Sequence, residues 1–275
     1  MTKKFKLLFV FVLAVASILT FSGCGSDAEN AKEAAEKTSL KIGVTPGPHA
    51  EIMEVVKKKA AQDGLKIEII EFSDYIQPNV ALNNGEIDVN SYQHQPFLDA
   101  QVKDRGYKIE TLAKTIIFPM GVYSKKIKNL NETKDGAILS IPNDPSNAGR
   151  ALMILEKAGL LKLKDNVGLN ATVSDIKENP KHLQIKELEA AQVPLSLTDV
   201  EFAVINTNYA VSAGLVPTTD ALALEDANSP YANILVIQSK DKDKPVYQKL
   251  IKAYHSDEVK KYVEEHFKGA GLVTW

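Results

Sequence analysis

The sequence predicts an α/β fold made of two lobes with a ligand cleft between them. Strand patterns alternate with helix patterns through most of the chain, which is typical of parallel sheets covered by helices. A faint repeat links residues 81–92 and 196–209, because each runs from a helix end through an acidic turn and a hydrophobic strand to an Asn and then a Tyr. Two unrelated βα units can share this order by coincidence. If the repeat is real, the strand ends of two similar lobes meet at a cleft, where α/β sheets bind ligands.

The individual elements follow from the spacing of apolar residues. In LKIEIIEF, the residues Leu65, Ile67 and Ile69 lie on one face of a strand, whereas AEIMEVVKKKAA has helical spacing over residues 50–61. Two helices are predicted between residues 245 and 267. The predicted strands cover residues 40–44, 65–72, 86–90, 137–142, 182–188, 201–206 and 232–238.

Residues 1–23 have the layout of a secretory signal peptide. Three lysines precede an apolar run from Leu7 to Phe21, and small residues follow the run at once. The run is shorter than the roughly 20 residues that a membrane-spanning helix requires. This pattern favours cleavage over a permanent membrane span.

Cys24 is the only cysteine of the chain, which excludes an intramolecular disulfide. Its position after the signal core resembles that of bacterial lipoproteins, whose signal peptidase cuts before a cysteine that then carries lipid. The resemblance implies that Cys24 becomes the acylated first residue, although Phe21 stands where Leu is usual. In the alternative interpretation, Cys24 is an incidental small residue of the signal. Residues 24–39 are charged and small, so we expect them to form a lipidated tether.

The charge balance argues against binding to nucleic acid. Removal of residues 1–23 takes the formal charge from −2 to −5, whereas nucleic-acid-binding proteins normally carry a basic stripe. The remaining body, from residue 40 to residue 275, is long enough for one large domain or two modest ones.

Catalytic motifs are missing from the sequence. It contains no G-x-S-x-G elbow, Walker loop or G-x-G-x-x-G. The five histidines are scattered, without the spacing of a zinc site. His94 with Asp88 or Asp99 remains open as an acid–base pair, but no nucleophile is indicated beside it. We therefore expect a protein that is not an enzyme and that holds no metal or cofactor.

The segment IPNDPSNAGRAL, residues 141–152, combines a helix start with extra polar groups. Asp144 and Pro145 suit a helix cap and the first helical position. Asn147 and Arg150 are three residues apart and share one helix face near the positive helix end. With that helix end they predict a site for a carboxylate or phosphate. In the alternative interpretation, Arg150 forms a surface salt bridge and Asn147 is one more capping group.

Aromatic and weakly polar residues follow two strands of the first half. Tyr75 lies in FSDY, and Tyr92, His94 and Phe97 lie in NSYQHQPFL. All four fall at strand-to-helix corners, where side chains point toward a cleft mouth. Such walls suit an apolar or thioether side chain. The alternative is that they are ordinary core aromatics.

Eight segments resemble, in order and across nearly all of the mature chain, the methionine-binding lipoproteins of bacterial ABC importers. They are GVTPGPHAE, FSDYIQPN, YQHQPFLD, FPMGVYSKKIK, IPNDPSNAGRAL, ENPKHLQIKELEAAQVP, VINTNYA and DANSPYANILV. The resemblance implies a periplasmic-binding-protein-like fold in which the chain crosses twice between the lobes. Lobe 1 would comprise residues 40–120 and 226–275, and lobe 2 residues 121–225.

The resemblance also implies eight ligand-binding residues: Tyr75, Tyr92, His94, Phe97, Asn147, Arg150, Asn206 and Asn233. The four residues from the first lobe would surround the ligand's side chain. Arg150 would bind the carboxylate, and the two asparagines Asn206 and Asn233 would bind or complete the amino-acid head group. Several family members have Phe where Tyr92 stands, and a buried hydroxyl there needs a hydrogen-bond partner.

The implied function is that of a monomeric substrate-binding protein, anchored by lipid on the outer face of the cell membrane. It would deliver L-methionine, or D-methionine, to an ABC permease and its ATPase. Within the same class, the ligand is alternatively a methionine-containing dipeptide or another small apolar amino acid. A surface adhesin or scaffold lipoprotein without ligand is an alternative of a different class, and an enzyme acting on amino-acid derivatives is a third.

Overall fold

The computed structural model describes residues 37–226 and 229–275. The predicted signal peptide, Cys24 and most of the predicted tether lie outside these residues. Within the described ranges, no helix combines the length and the apolar character that crossing a membrane requires.

Strands and helices alternate along the described chain, as the apolar spacing predicts. The strands are β1 (Ser39–Val44), β2 (Lys66–Glu71), β3 (Val89–His94), β4 (Ile109–Lys114), β5 (Ile116–Ile117), β6 (Gly121–Tyr123), β7 (Ile138–Pro142), β8 (Lys162–Leu163), β9 (Ile176–Glu178), β10 (Gln184–Leu188), β11 (Phe202–Ile205), β12 (Ala223–Leu224), β13 (Asn233–Gln238) and β14 (Leu272–Val273). The α-helices are α1 (Pro48–Gln62), α2 (Gln77–Asn84), α3 (Gln95–Arg105), α4 (Pro145–Lys157), α5 (Thr207–Ser212), α6 (Pro217–Asp220), α7 (Val246–Tyr254) and α8 (Asp257–Phe267).

The first sheet has the strand order β2-β1-β3-β13-β4. Strands β2, β1 and β3 are parallel, but β13 is antiparallel to both of its neighbours, β3 and β4. The alternation of strands and helices predicted parallel sheets, and this sheet is parallel except for β13. The physical reason is the chain path, since β13 enters this sheet on the return from the second one and runs in the opposite direction.

The second sheet has the strand order β10-β7-β11-β6-β12. Strands β10, β7 and β11 are parallel, whereas β6 is antiparallel to β11 and to β12. In each sheet, one strand in the fourth position, β13 or β6, runs against the other four. The similar build of the two sheets agrees with the faint repeat in the sequence.

The chain passes between the sheets twice, once before β6 and once between β12 and β13. The two-lobed α/β class with two crossovers is therefore confirmed. The residue boundaries of the lobes, at 120/121 and 225/226, are a finer statement and stay a prediction.

Each sheet has its own hydrophobic core. In the first, Leu40, Ile42 and Val44 of β1 are buried against helices α1, α7 and α8. In the second, the strand residues Leu139 and Ile141 are buried against α4. Full burial of such a side chain stabilises the fold by about 1.5–3 kcal/mol. Two separate cores leave the space between the sheets available for polar groups.

Helix α4 lies directly against the backbone of the neighbouring loop because residue 149 is a glycine. A Cβ at Gly149 would lie 2.4 Å from the carbonyl oxygen of Leu169 and 3.1 Å from the amide nitrogen of Ala171. No side chain fits at that distance from backbone atoms. This close approach fixes the position of α4 and hence of Arg150, the next residue.

Candidate functional site

A cavity lies where the strand ends of both sheets meet. All eight residues that the sequence singles out line it: Tyr75, Tyr92, His94, Phe97, Asn147, Arg150, Asn206 and Asn233. The structure thus brings together side chains that are up to 158 positions apart in the sequence. Their role toward a ligand stays a prediction.

Five further residues line the same cavity and were not predicted individually: His49, Gln93, Phe118, Thr207 and Asn208. The signal that could have found most of them is position along the chain. Gln93 lies between two predicted residues, and Thr207 and Asn208 follow Asn206 directly. His49 belongs to the first turn of α1 and packs edge-on against Phe118, with ring centroids 5.2 Å apart.

Three aromatic rings, which we call the aromatic wall, form one side of the cavity: Tyr75, Tyr92 and Phe97. Their ring centroids are 5.7 to 6.2 Å apart, with tilted or edge-on geometry. These are favourable arrangements for aromatic pairs. The rings therefore form an apolar surface that holds its own shape.

The hydroxyl groups of this wall have protein partners. Tyr92 donates a hydrogen bond to the carbonyl oxygen of Tyr75 at 2.8 Å, so the hydroxyl that several family members lack is satisfied. Tyr75 donates to Oδ1 of Asn208 at 2.5 Å. Burial raises the pKa of both tyrosines well above the ordinary value, and both are neutral donors. The wall thus presents carbon surface to the cavity.

Hydrogen bonds also join the two sheets across the cleft beside this wall. Besides the bond from Tyr75 to Asn208, the hydroxyl of Tyr209 donates to the carbonyl oxygen of Ser73 at 3.1 Å. Nδ2 of Asn208 donates to Oγ1 of Thr45 at 3.4 Å. Together these cross-cleft hydrogen bonds hold the cavity in a closed form.

His94 is neutral and its tautomer follows from its contacts. Burial lowers its pKa to about 3, and the positive charge of Arg150 contributes to the shift. The amide N–H of Phe97 donates to Nδ1 at 3.2 Å, which caps helix α3. The proton must therefore lie on Nε2, which donates to Oδ1 of Asn147 at 3.1 Å. His94 connects the aromatic wall to the polar side of the cavity.

The side chain of Asn147 is engaged at both ends. Its Oδ1 accepts hydrogen bonds from His94 and, at 2.9 Å, from Nδ2 of Asn206. Its Nδ2 donates to Oδ2 of Asp144 at 2.8 Å, and its backbone N–H donates to Oδ1 of the same residue at 2.9 Å. Asp144 thus caps α4, as predicted, and occupies the helix end that was expected to attract an anion.

Asn206 presents an acceptor that is left over from this network. Because its Nδ2 donates to Asn147, the amide is turned so that Oδ1 is the remaining polar atom. This Oδ1 is buried and has no hydrogen-bond partner within the described ranges. Buried polar atoms are rarely left without a partner, since desolvation costs about 1–3 kcal/mol. The atom marks a place for a donor.

Arg150 presents donors in a similar way. Its Nε donates to both carboxylate oxygens of Glu225, at 3.0 and 3.1 Å. Its Nη2 donates to Glu225 and, at 2.9 Å, to the carbonyl oxygen of Phe118. The guanidinium also lies 4.5 Å from the ring centroid of Tyr231. Nη1, the third nitrogen, has no hydrogen bond to any of residues 37–226 or 229–275, so its two N–H groups remain available.

Arg150 does form an ion pair, as the alternative interpretation of its spacing allowed, but the pair is not on the surface. The side chains of Arg150 and Glu225 are 4% and 10% exposed. A buried arginine with one nitrogen left for the cavity fits a site for a carboxylate. Within the described residues, no group of three or more His, Cys, Asp or Glu side chains has the arrangement of a metal site.

Comparisons with known proteins agree with this geometry. The model of the NlpA lipoprotein family matches residues 40–275. The chain is 46% identical to the D-methionine-binding lipoprotein MetQ of Salmonella typhimurium, and 45% identical to its Escherichia coli K12 counterpart, over the full length of both proteins in each case. It is 53% identical, with a TM-score of 0.84, to a nutrient-binding protein from Burkholderia cenocepacia solved with methionine bound, over 86% of this chain and 100% of that one.

The family that the eight sequence segments indicated is thereby confirmed. The match covers the whole region that forms the two sheets and the cavity. This chain belongs to the NlpA lipoprotein family.

Proposed function

We propose that this protein is a methionine-binding lipoprotein that supplies an ABC importer. The observation that carries the proposal is that two residues lining one cavity each keep a polar group without a partner in the described residues, Nη1 of Arg150 and Oδ1 of Asn206. The carboxylate of an amino acid matches the first group, and its ammonium matches the second. A free amino acid satisfies both at once.

The aromatic wall supports an apolar side chain, and a thioether in particular. A sulfur atom near an aromatic ring gains roughly 0.3–1.5 kcal/mol. Methionine is also the ligand that the names of the relatives and the Burkholderia structure give.

The position of the aromatic wall supports a single amino acid over a dipeptide. A larger outer groove begins on the far side of Tyr75 and Phe97, which line both spaces. The two rings stand between the cavity and the room that a second residue of a dipeptide would need.

The membrane anchor and the partners belong to the same proposal. Acylation of Cys24 would tether the protein to the outer face of the cell membrane, and two or more acyl chains give stable anchoring. A monomer would then deliver the ligand to a permease coupled to an ATPase. The family's description as a lipoprotein supports the anchor.

Titration calorimetry with L- and D-methionine tests the binding function. The protein is first unfolded and refolded, which removes any ligand carried through purification. We expect a single saturable site and a higher melting temperature, with about 4 kcal/mol of stabilisation at a thousand times Kd. Absence of heat and of a melting shift with both enantiomers would contradict the proposal.

Mass spectrometry of ligand released from the denatured, freshly purified protein tests the ligand's identity. We expect free methionine. A methionine-containing dipeptide or a different apolar amino acid would replace methionine in the proposal, and no small molecule together with a silent titration would favour the adhesin or scaffold.

A further inference from the structure

We propose that Glu225 determines the charge selectivity of the cavity and makes it favour zwitterions over ligands that carry a single negative charge. Glu225 does not line the cavity itself. It acts through Arg150, with which it forms a buried pair. The inference rests on the proposed function, because it concerns how an amino-acid ligand is distinguished from its charged analogues.

The position of Glu225 is fixed by both segments that connect the two sheets. Its Oε2 accepts a hydrogen bond from the backbone N–H of Met120 at 3.1 Å, and its Oε1 accepts one from Oγ of Ser229 at 2.9 Å. Its own backbone N–H donates to the carbonyl oxygen of Met120 at 2.9 Å. The carboxylate is therefore a built feature of the site and not a mobile surface group.

The ion pair leaves the cavity without a net positive charge. The charge of Arg150 is balanced by Glu225, both being at most 10% exposed. The two cavity histidines, His49 and His94, are buried and neutral. Two further carboxylates lie nearby, that of Asp144, bonded to Asn147 at the end of α4, and that of Asp74, whose negative charge contributes to the raised pKa of Tyr92. A ligand that carries a net negative charge would thus enter surroundings that are already neutral or negative.

A zwitterion avoids this penalty because it carries both signs. The carboxylate of Glu225 repels the ligand's carboxylate and attracts its ammonium, so the two effects partly cancel. For a simple carboxylate only the repulsion remains, and for a simple ammonium only the attraction. Charges interact strongly when they are buried, and a buried charge without an opposite partner has a high free-energy cost. Glu225 should therefore weaken the binding of anions and strengthen the binding of cations, each relative to methionine.

The test compares three ligands on the wild type and on Glu225→Gln, which removes the charge and keeps the side-chain shape. The ligands are L-methionine, the anion 4-(methylthio)butanoate, which lacks the ammonium, and the cation 3-(methylthio)propylamine, which lacks the carboxylate. Calorimetry, or competition against methionine for the weaker ligands, gives the Kd ratios. A unit charge roughly 6–8 Å away changes affinity by tenfold or more at an effective dielectric constant of about 20.

We expect the Kd ratio of anion to methionine to fall about tenfold or more in Glu225→Gln, and the ratio of cation to methionine to rise by a similar factor. Ser229→Ala is the matched control. It removes one partner of Glu225 and keeps the charge, so both ratios should stay within about twofold of the wild type. Loss of folding or of cavity shape cannot move the two ratios in opposite directions.

Unchanged ratios in a folded Glu225→Gln protein would overturn the inference and leave Glu225 with a purely structural role. If Glu225→Gln does not fold, the wild type provides the second measurement. There the anion should bind about 100-fold more weakly than methionine or worse, and comparable affinities would overturn the inference. A wild type that does not bind methionine contradicts the proposed function instead, so the two failures are distinguishable.

Discussion

The two sides of the cavity are built in different ways. The aromatic wall consists of three rings that contact one another, and its hydroxyl groups are satisfied by the protein. On the polar side, Asn147 is hydrogen-bonded to Asn206 and Arg150 to Glu225, while Nη1 of Arg150 and Oδ1 of Asn206 remain without a partner in the described chain. The difference teaches that the aromatic wall selects a ligand by its shape, whereas the polar side selects it through the two polar groups that have no protein partner.

This comparison predicts unequal effects of substitution. On the polar side, a single substitution leaves a buried charge or polar atom without its partner, which costs stability. On the aromatic wall, removal of a polar atom leaves the apolar surface in place.

Arg150→Ala should give the largest loss of stability and affinity. The variant removes the hydrogen-bond donor for the ligand's carboxylate and leaves the carboxylate of Glu225 buried without its partner. We expect the free energy of unfolding to fall by about 3–5 kcal/mol and methionine affinity to fall about 100-fold or more. Chemical denaturation and calorimetry measure the two losses. Arg105→Ala, a change at an exposed arginine of α3, is the control and should alter neither. Full stability in Arg150→Ala would contradict a buried pair.

The neutral state of His94 predicts a dependence of stability on pH. The unfolded chain binds a proton at this residue below about pH 6.5, whereas burial holds the pKa in the folded protein at about 3. The contribution of neutral His94 to the free energy of unfolding is therefore fully present above pH 6.5 and is lost as the pH falls toward 3. His94→Gln should reduce the slope between pH 4 and 6 by about 1.4 kcal/mol per pH unit.

Denaturation curves across this pH range check the prediction. His49, whose pKa burial lowers to about 4, retains its own contribution in the variant. Tyr92→Phe is the control: burial raises the pKa of Tyr92 well above its ordinary value, so the variant loses no group that titrates in this range and should keep the wild-type slope. Equal slopes for His94→Gln and the wild type would show that His94 is not buried as a neutral group.

Asn206→Ala should separate binding from stability. The variant loses the acceptor Oδ1 and one hydrogen bond to Asn147, but it also removes a buried atom that lacks a partner. We expect methionine affinity to fall about tenfold while the free energy of unfolding changes by less than about 1 kcal/mol. Calorimetry and denaturation measure both values on one preparation. A stability loss of several kcal/mol with intact affinity would assign Asn206 to the network alone.

Tyr92→Phe should give the smallest effect. The hydroxyl donates to the carbonyl oxygen of Tyr75, outside the cavity, so its removal costs about 1 kcal/mol of stability or less. Methionine affinity should stay within about threefold. A larger change in affinity would mean that the hydroxyl faces the ligand after all.

The sequence predicts much of the fold, because apolar periodicity is local. The strand predicted over residues 232–238 is observed as Asn233–Gln238, and that over 137–142 as Ile138–Pro142. The antiparallel direction of the first of these strands, β13, could not be predicted, because it depends on the return path of the chain. The strand-to-helix corner at residues 92–97 predicts that a helix follows, but the extent of α3 was not predicted, because QPFLDAQVKDR has weak apolar periodicity.

At the site, the sequence predicts which residues line the cavity better than it predicts which of their atoms are hydrogen-bonded. Spacing puts Asn147 and Arg150 on one helix face, and both do line the cavity. The same spacing cannot show that both ends of the Asn147 amide are occupied. Nor can it reveal Glu225, which lies 75 positions from Arg150 and is set by long-range folding.

The cross-cleft hydrogen bonds bear on how long a ligand stays. A ligand that leaves through an opening of the cleft must wait until the bonds from Tyr75, Tyr209 and Asn208 to their partners on the other side have broken. Residence time is then set by the rate of opening as well as by the contacts of the ligand itself. The affinity for the ligand and the rate of its release then depend on different residues of the protein.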